Sequence, residues 1–313
     1  MENTHDNLIK EIILKHFKKN AEKIERMTLG LDNEVFSVQV DDLNYIVRLN
    51  KRESLKGSSK YIPIFKSEDI KVPEIIAEDY SKELIPYNWQ ILSKIEGVDI
   101  DKVISILNEE QLKSIAEKIA DIIKKLIVLP TNGLFGYVGV NEEKCEKSLN
   151  KFLETMLIKI KERNLKTKVL KKEYIKIFEK ILKKYETYFT DSQSQFYFDD
   201  MSSKNVMIFD GKFNGLVDLD GVSYGDFLDV VGRIKASWYG TKYGNFYTNA
   251  VMDNLNLDDN QRKMVTVWAL LNRIWWQSEI GIQFNKNTST NIDSGKVKKG
   301  NMVINELIKE LDL

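Results

Sequence analysis

The sequence is poor in the residues that staple, kink or ligate. In 313 residues it has one cysteine, two histidines and four prolines. A lone Cys145 excludes an internal disulfide and a cysteine-built metal site, and it points to a reducing compartment. His5 and His16 both lie near the N-terminus, far from any other candidate chemistry. No Ser-His-Asp arrangement can be built with them, and they are assigned no role. Charge of one sign is missing too: 47 basic and 47 acidic side chains cancel, so no net field draws the chain to nucleic acid or to an anionic membrane. No uncharged apolar run approaches the ~20 residues that a membrane span needs. The first ten residues set acids and amides ahead of any apolar stretch, unlike a cleavable signal. A soluble, cytoplasmic protein with neither nucleic acid nor membrane as partner is expected.

What is present is the composition of a globular chain, 42% apolar and 30% charged. At roughly 150 residues per domain it is long enough for two domains or one two-lobed unit. The first ninety residues read mostly as strands. Residues 34–40 (EVFSVQV) and 44–50 (NYIVRLN) alternate in polarity with period two, and residues 41–43 are short enough to join them as a hairpin. Residues 74–78 and 89–94 read as two further strands. Residues 58–66 read as a short helix despite Pro63.

Beyond residue 97 the period changes. Residues 109–129 repeat apolar side chains at three- and four-residue steps, which predicts an amphipathic helix ending at Pro130. Residues 143–162 and 171–188 repeat the pattern. Three short strands interrupt it at 195–199, 205–210 and 212–218, and helical periodicity resumes from 226, at 258–282 and at 301–311. The expectation is an α+β chain: a small antiparallel sheet lobe over residues 1–94, a hinge near 93–97, and a larger, mainly helical lobe over 95–313.

The most informative stretch is FYFDDMSSKNVMIFDGKFNGLVDLDGVSYGD, residues 196–226. Two apolar strands flank an Asp210-Gly211 turn, and Asp200, Asn205 and Asp218 stand at the ends of this greasy element. The spacing predicts that an amide and a carboxylate meet there beside a second carboxylate. Mg²⁺ takes hard oxygen ligands, commonly one or two protein groups plus substrate phosphates. A carboxylate outside the metal shell can instead accept a proton from an attacking hydroxyl. Asp200 as base with Asn205 and Asp218 as metal ligands would make a phosphoryl-transfer site. Asp199 competes with Asp200 as base, but strand alternation should turn the two to opposite faces, and only Asp200 keeps the five-residue step to Asn205. Lys204 is nominated to lie beside the transferred phosphoryl group, against the plainer reading of a solvated loop lysine.

The order Asp-x-x-x-x-Asn, hairpin, Val-Asp-Leu-Asp and then Gly225-Asp226-Phe-Leu-Asp229 resembles the aminoglycoside phosphotransferase and choline-kinase-like family, a small-molecule branch of the protein-kinase-like fold. The family's usual histidine and glycine before the catalytic aspartate are Phe198 and Asp199 here. The sequel is one residue shorter than usual. The resemblance implies a two-lobed kinase fold, ATP or GTP as donor with Mg²⁺, and a small hydroxylated acceptor. It also implies a nucleotide turn at Gly30 and a phosphate-contacting cation at Arg48, where lysine is more usual; arginine can bind phosphate oxygens as a fork. Backbone groups of Ser93 to Ile95 in the interlobe linker would then meet the purine. The glutamate that would hold Arg48 from a helix is not evident: residues 58–66 contain no acid.

The stretch after Asp226 is expected to form the acceptor pocket. Its aromatics (Trp238, Tyr239, Trp268, Trp275 and Trp276 among them) suit a choline cage. Its carboxylates (Asp229, Asp253, Asp258, Asp259, Glu279) suit a polycation. Acids barely outnumber bases there, and an aminoglycoside-type acceptor, favoured on family analogy, stands beside choline or another small amino alcohol. A catalytically silent nucleotide-binding protein of the same fold is the remaining alternative.

Overall fold

A computed structural model describes residues 4–27, 33–284 and 289–313. Gly30 lies outside the described residues. The chain divides into two units, residues 1–96 with 215–221, and residues 97–214 with 222–313. The sequence reading gave everything after 94 to the second lobe; the fold groups 215–221 with the first.

The first unit contains α1 (Thr4–Phe17), β1 (Lys23–Met27), β2 (Glu34–Val40), β3 (Leu43–Asn50), α2 (Lys56–Ser67), β4 (Ile75–Asp79) and β5 (Asn88–Ser93). The strands form one antiparallel sheet in the order β1-β2-β3-β5-β4. Along β2 burial alternates residue by residue, the signature of a strand with one face on a core. That core joins Phe36, Val38, Val47, Leu49 and Ile91 of the sheet to Ile9, Ile12 and Ile13 of α1. Each such side chain contributes roughly 1.5–3 kcal/mol by leaving water. His5 belongs to this structural layer, its Nε2 lying 3.1 Å from Glu34. Helix α2 continues through Pro63, which lies on its exposed side, while Tyr61, Ile62 and Phe65 bury the other side in the core. Residues 215–221 bind to this unit through backbone: Leu216 N–H donates to the Lys71 carbonyl at 2.9 Å.

The second unit contains β6 (Val98–Asp99), α3 (Ile100–Val103), α4 (Glu109–Leu126), β7 (Gly136–Val138), α5 (Leu149–Thr167), α6 (Lys172–Lys184), α7 (Glu186–Asp191), β8 (Gln195–Tyr197), β9 (Val206–Phe209), β10 (Lys212–Leu216, whose last two residues belong to the first unit), β11 (Val222–Gly225), α8 (Leu228–Ser237), α9 (Lys242–Asn254), α10 (Asp259–Glu279) and α11 (Ser294–Glu310). Its strands make two small sheets, β10-β9-β6 and β7-β11-β8. The β9–β10 turn is the expected Asp210-Gly211 pair, both at positive φ (50° and 70°), as a two-residue hairpin of this twist demands. Helix α4 is closed at its start by a reciprocal Asn108–Gln111 capping box, and α10 by the same device from Asp258 and Gln261.

Several element boundaries depart from the sequence reading: β10 ends at Leu216 rather than 218, α11 begins at Ser294 rather than 301, and three others have a local cause. Helix α5 begins at Leu149 rather than 143, because Glu146 is held in a bridge to Phe135 and Ser148 supplies the N-cap. The 171–188 periodicity breaks at Tyr185, whose φ of −112° separates α6 from α7. Strand β8 stops at Tyr197, so Asp199 and Asp200 sit in a turn and not on a strand.

Candidate active site

In the second unit, the loop between β8 and β9 carries Asp200 and Asn205. The Asn205 amide nitrogen donates to the Asp200 carboxylate (Oδ2, 2.7 Å) and to its carbonyl (3.1 Å). That commits the nitrogen and leaves the amide oxygen as the hard donor. Asn205 takes the left-handed conformation, φ 66°, which asparagine tolerates better than most residues and which is frequent where a side chain is held for function. The loop is tied down from two sides. Asn205 N–H donates to Asp99 Oδ1 at 3.3 Å and Asp101 N–H to the Ser203 carbonyl at 3.1 Å, while Met201 and Ser202 are buried. Asp200 is exposed, and so is Lys204, which makes no ion pair among the described residues.

Asp199 and Asp200 are separated by their partners, not by strand alternation as the sequence suggested. Asp199 faces Arg233 of α8 (Oδ2 to Nη2, 3.2 Å), and Arg233 Nε also reaches Asp229 Oδ2 at 3.3 Å. Asp229 accepts further bonds from Tyr197 (3.0 Å) and Asn272 (2.6 Å). Burial by itself would lower the Arg233 pKa, but Asp229, Asp199, Tyr197 and Asp200 outweigh it and hold the guanidinium charged. Phe198, at the family's histidine position, is a core side chain, 1% exposed. An ion pair anchors the loop in this chain. The sequence named Asp229 and Asp199 but not Arg233, because a helical i,i+4 arginine looks like any solvated one until the strand it covers is known.

In the first unit, Arg48 lies on β3 between Val35 of β2 and Gln90 of β5. Its guanidinium is buried and donates to Ser58 Oγ (2.8 Å), Asp218 Oδ1 (2.7 Å) and Asp220 Oδ2. Burial pushes its pKa down, and Asp220 with Asp218 push it up by more, for a net rise. Asp218 keeps 49% of its side chain exposed and stands at φ 64°, a carboxylate presented outward by a left-handed residue. Helix α2 contains no acid, so the missing helix glutamate is a fact of the fold. The Ser93 N–H is engaged by the Glu74 carbonyl at 2.9 Å.

No cluster of three or more His, Cys, Asp or Glu side chains among the described residues is disposed to hold a metal. The amide oxygen of Asn205 in the second unit and the carboxylate of Asp218 in the first are each the hard donor type that Mg²⁺ takes, an ion that keeps most of its shell for phosphates and water. Among the described residues, no helix is long and apolar enough to cross a membrane.

Two of the candidate acceptor tryptophans, Trp238 and Trp268, are core. The rings of Trp275 and Trp276 are covered by the protein's own cations, Arg163 at 4.0 Å and Arg273 at 5.8 Å. The nearby acids are also engaged: Asp258 caps α10, Asp253 pairs with Arg262, and Glu279 pairs with Arg163.

An antiparallel-sheet unit followed by a helical unit, with Asp-x-x-x-x-Asn on the helical unit's loop and a cation on the third strand, is the protein-kinase-like fold of small-molecule kinases. The chain belongs to the phosphotransferase enzyme family, whose family model matches residues 23–250, and it is a small-molecule kinase. Among solved structures it is similar to aminoglycoside phosphotransferase APH(4)-Ia at 12% identity, covering 98% of each chain with a TM-score of 0.68. It is similar also to the streptomycin–ATP ternary complex of APH(2")-IIa at 16% identity, covering 99% of this chain and 97% of that one with a TM-score of 0.65. Comparison by sequence with curated proteins gave no match.

Proposed function

We propose that the protein transfers the terminal phosphoryl group of ATP or GTP to a hydroxyl of a small molecule, with an aminoglycoside-type acceptor as the first candidate. The observation that carries the reading is the Asp200–Asn205 pair, a carboxylate fixed by an amide whose own oxygen stays available for a cation. Asp200 accepts the proton of the attacking hydroxyl. Asn205 and Asp218 would hold Mg²⁺, which would supply positive charge to the phosphates. Arg48 steadies the phosphate oxygens as a fork. Lys204, exposed and without an ion pair among the described residues, offsets charge on the phosphoryl group, and backbone groups of Ser93 to Ile95 meet the purine.

Support for the donor comes from relatives: one APH(4)-Ia complex holds ADP with hygromycin B, another AMP-PNP with hygromycin B, and the APH(2")-IIa complex holds ATP with streptomycin. The same structures favour an aminoglycoside over choline. Arg163, 4.0 Å from the Trp275 ring centre, also weighs against choline, since it takes one ring face that a quaternary ammonium would use. A cytoplasmic site of action follows from the donor, and the reaction would inactivate an aminoglycoside antibiotic.

The test is an acceptor screen reading ADP or GDP release, run with wild type and Asp200→Ala. Turnover on at least one aminoglycoside is expected, with the variant slower by roughly 10²–10⁴ while nucleotide affinity is kept. Equal turnover in the variant removes Asp200 from the mechanism. Turnover confined to amino alcohols replaces the aminoglycoside assignment.

A further inference from the structure

We propose that Asp220 is the positioning residue for Arg48, supplying from the strand end the counter-charge that a helix glutamate supplies in protein kinases. The proposal rests on the nucleotide reading above. A buried guanidinium needs a carboxylate partner, because an uncompensated charge in this setting is strongly destabilising. Helix α2, the element facing Arg48, has none to give; it offers only Ser58. Two carboxylates from residues 215–221 take its place, and they are not equivalent. Asp218 is half exposed, whereas the Asp220 side chain keeps only 14% of its surface. Asp220 is also fixed on both oxygens: Oδ1 accepts the Ser58 hydroxyl, and Oδ2 accepts Arg48 and the Asn33 amide (2.6 Å). Asn33 is in turn held by Asn50 at 2.6 Å.

This network is built in. A Cβ on Gly57 would stand 1.8 Å from the Asp220 carbonyl oxygen, so the neighbouring helix position has to be glycine for residue 220 to come this near. The consequence is a division of labour. Asp218 can turn to a cation without stranding Arg48, because Asp220 continues to neutralise and aim the guanidinium.

The test compares affinity for ATP with affinity for adenosine, and for GTP with guanosine, by calorimetry in the presence of Mg²⁺. It uses wild type, Asp220→Asn, Ser58→Ala and the exchange Asp220→Ser/Ser58→Asp. A positioning role predicts that Asp220→Asn weakens the triphosphate by about tenfold or more, the loss expected of a charge-assisted hydrogen bond. Nucleoside affinity should stay put, and the exchange should recover part of the loss by returning a carboxylate to the guanidinium. If Asp220→Asn does not fold, the exchange and Ser58→Ala carry the same comparison. Unchanged triphosphate affinity overturns the proposal, and so does an equal loss of triphosphate and nucleoside, which would mark a purely structural role. A wild type that binds no nucleotide overturns the function reading and this proposal together. Wild-type binding with unaffected variants overturns this proposal alone.

Discussion

Removing Arg233 tests whether an ion pair has taken over the anchoring of the catalytic loop. Arg233→Met keeps most of the apolar stem and deletes the charge that Asp199 and Asp229 share, with side-chain exposures of 20%, 13% and 6% respectively. Breaking a buried pair by removing one partner costs about 3–5 kcal/mol. Asp229 retains its bonds from Tyr197 and Asn272, so the lower end applies, about 3 kcal/mol, with Asp199 bearing most of it. At roughly 2–4 °C per kcal/mol for a unit of this size, the melting temperature should drop by roughly 6–12 °C. Turnover should fall as well, because Asp199 adjoins the proposed base. The decisive comparison is the double variant Asp199→Asn/Arg233→Met, which removes the stranded carboxylate. Its stability should lie above that of Arg233→Met, with a coupling of about 0.5–3 kcal/mol in a double-mutant cycle. Thermal and urea denaturation of the four proteins measure it. A single variant that melts with wild type, or a cycle with no coupling, would falsify the anchoring role.

Gly57→Ala should destabilise by about 1–3 kcal/mol, opposite in sign to the gain of about 1 kcal/mol usual for glycine to alanine in a helix, because the new methyl meets the Asp220 backbone. A melt at or above wild type would show that residues 215–221 do not lie against α2 as described. The Glu279 carboxyl is pushed above its usual range by burial, with Arg163, Arg233 and a Trp275 hydrogen bond pulling back less, and burial also pushes the Arg163 pKa down. A carboxyl whose pKa is higher folded than unfolded favours the fold below its unfolded value, about 4.3, and that contribution is lost as pH rises through the raised value. Glu279→Gln should therefore gain melting temperature relative to wild type as pH climbs from 4 to 8, and a constant offset across the range would refute this. Asn205→Ala should weaken Mg²⁺-dependent nucleotide binding, checked as the ratio of affinities with and without Mg²⁺; a ratio equal to that of wild type removes Asn205 from the metal shell.

Much of the fold was legible because local periodicity is set by local sterics. Residues 34–40 alternate because alternate side chains of a strand face opposite ways, and 109–126 repeat at three to four because a helix turns at that step. The Asp200–Asn205 contact was legible for a related reason: five residues of loop with an asparagine able to sit at positive φ bring the two together without help from elsewhere. The helix boundary at 149 was not, since the Phe135–Glu146 bridge that delays it pairs residues eleven apart. Nor was the role of strand alternation at Asp199, because the strand ends two residues earlier.

The sequence by itself determined the strand and helix periods, the tight Asp210-Gly211 turn and the candidate carboxylates with their spacing, all properties of neighbours along the chain. Only the tertiary structure decided which charges answer which. Arg48 meets Asp220 across 172 residues, and Arg233 meets Asp199 across an intervening strand and hairpin. A buried charge selects its partner by proximity in a low-dielectric interior, and proximity there is a property of the packed chain.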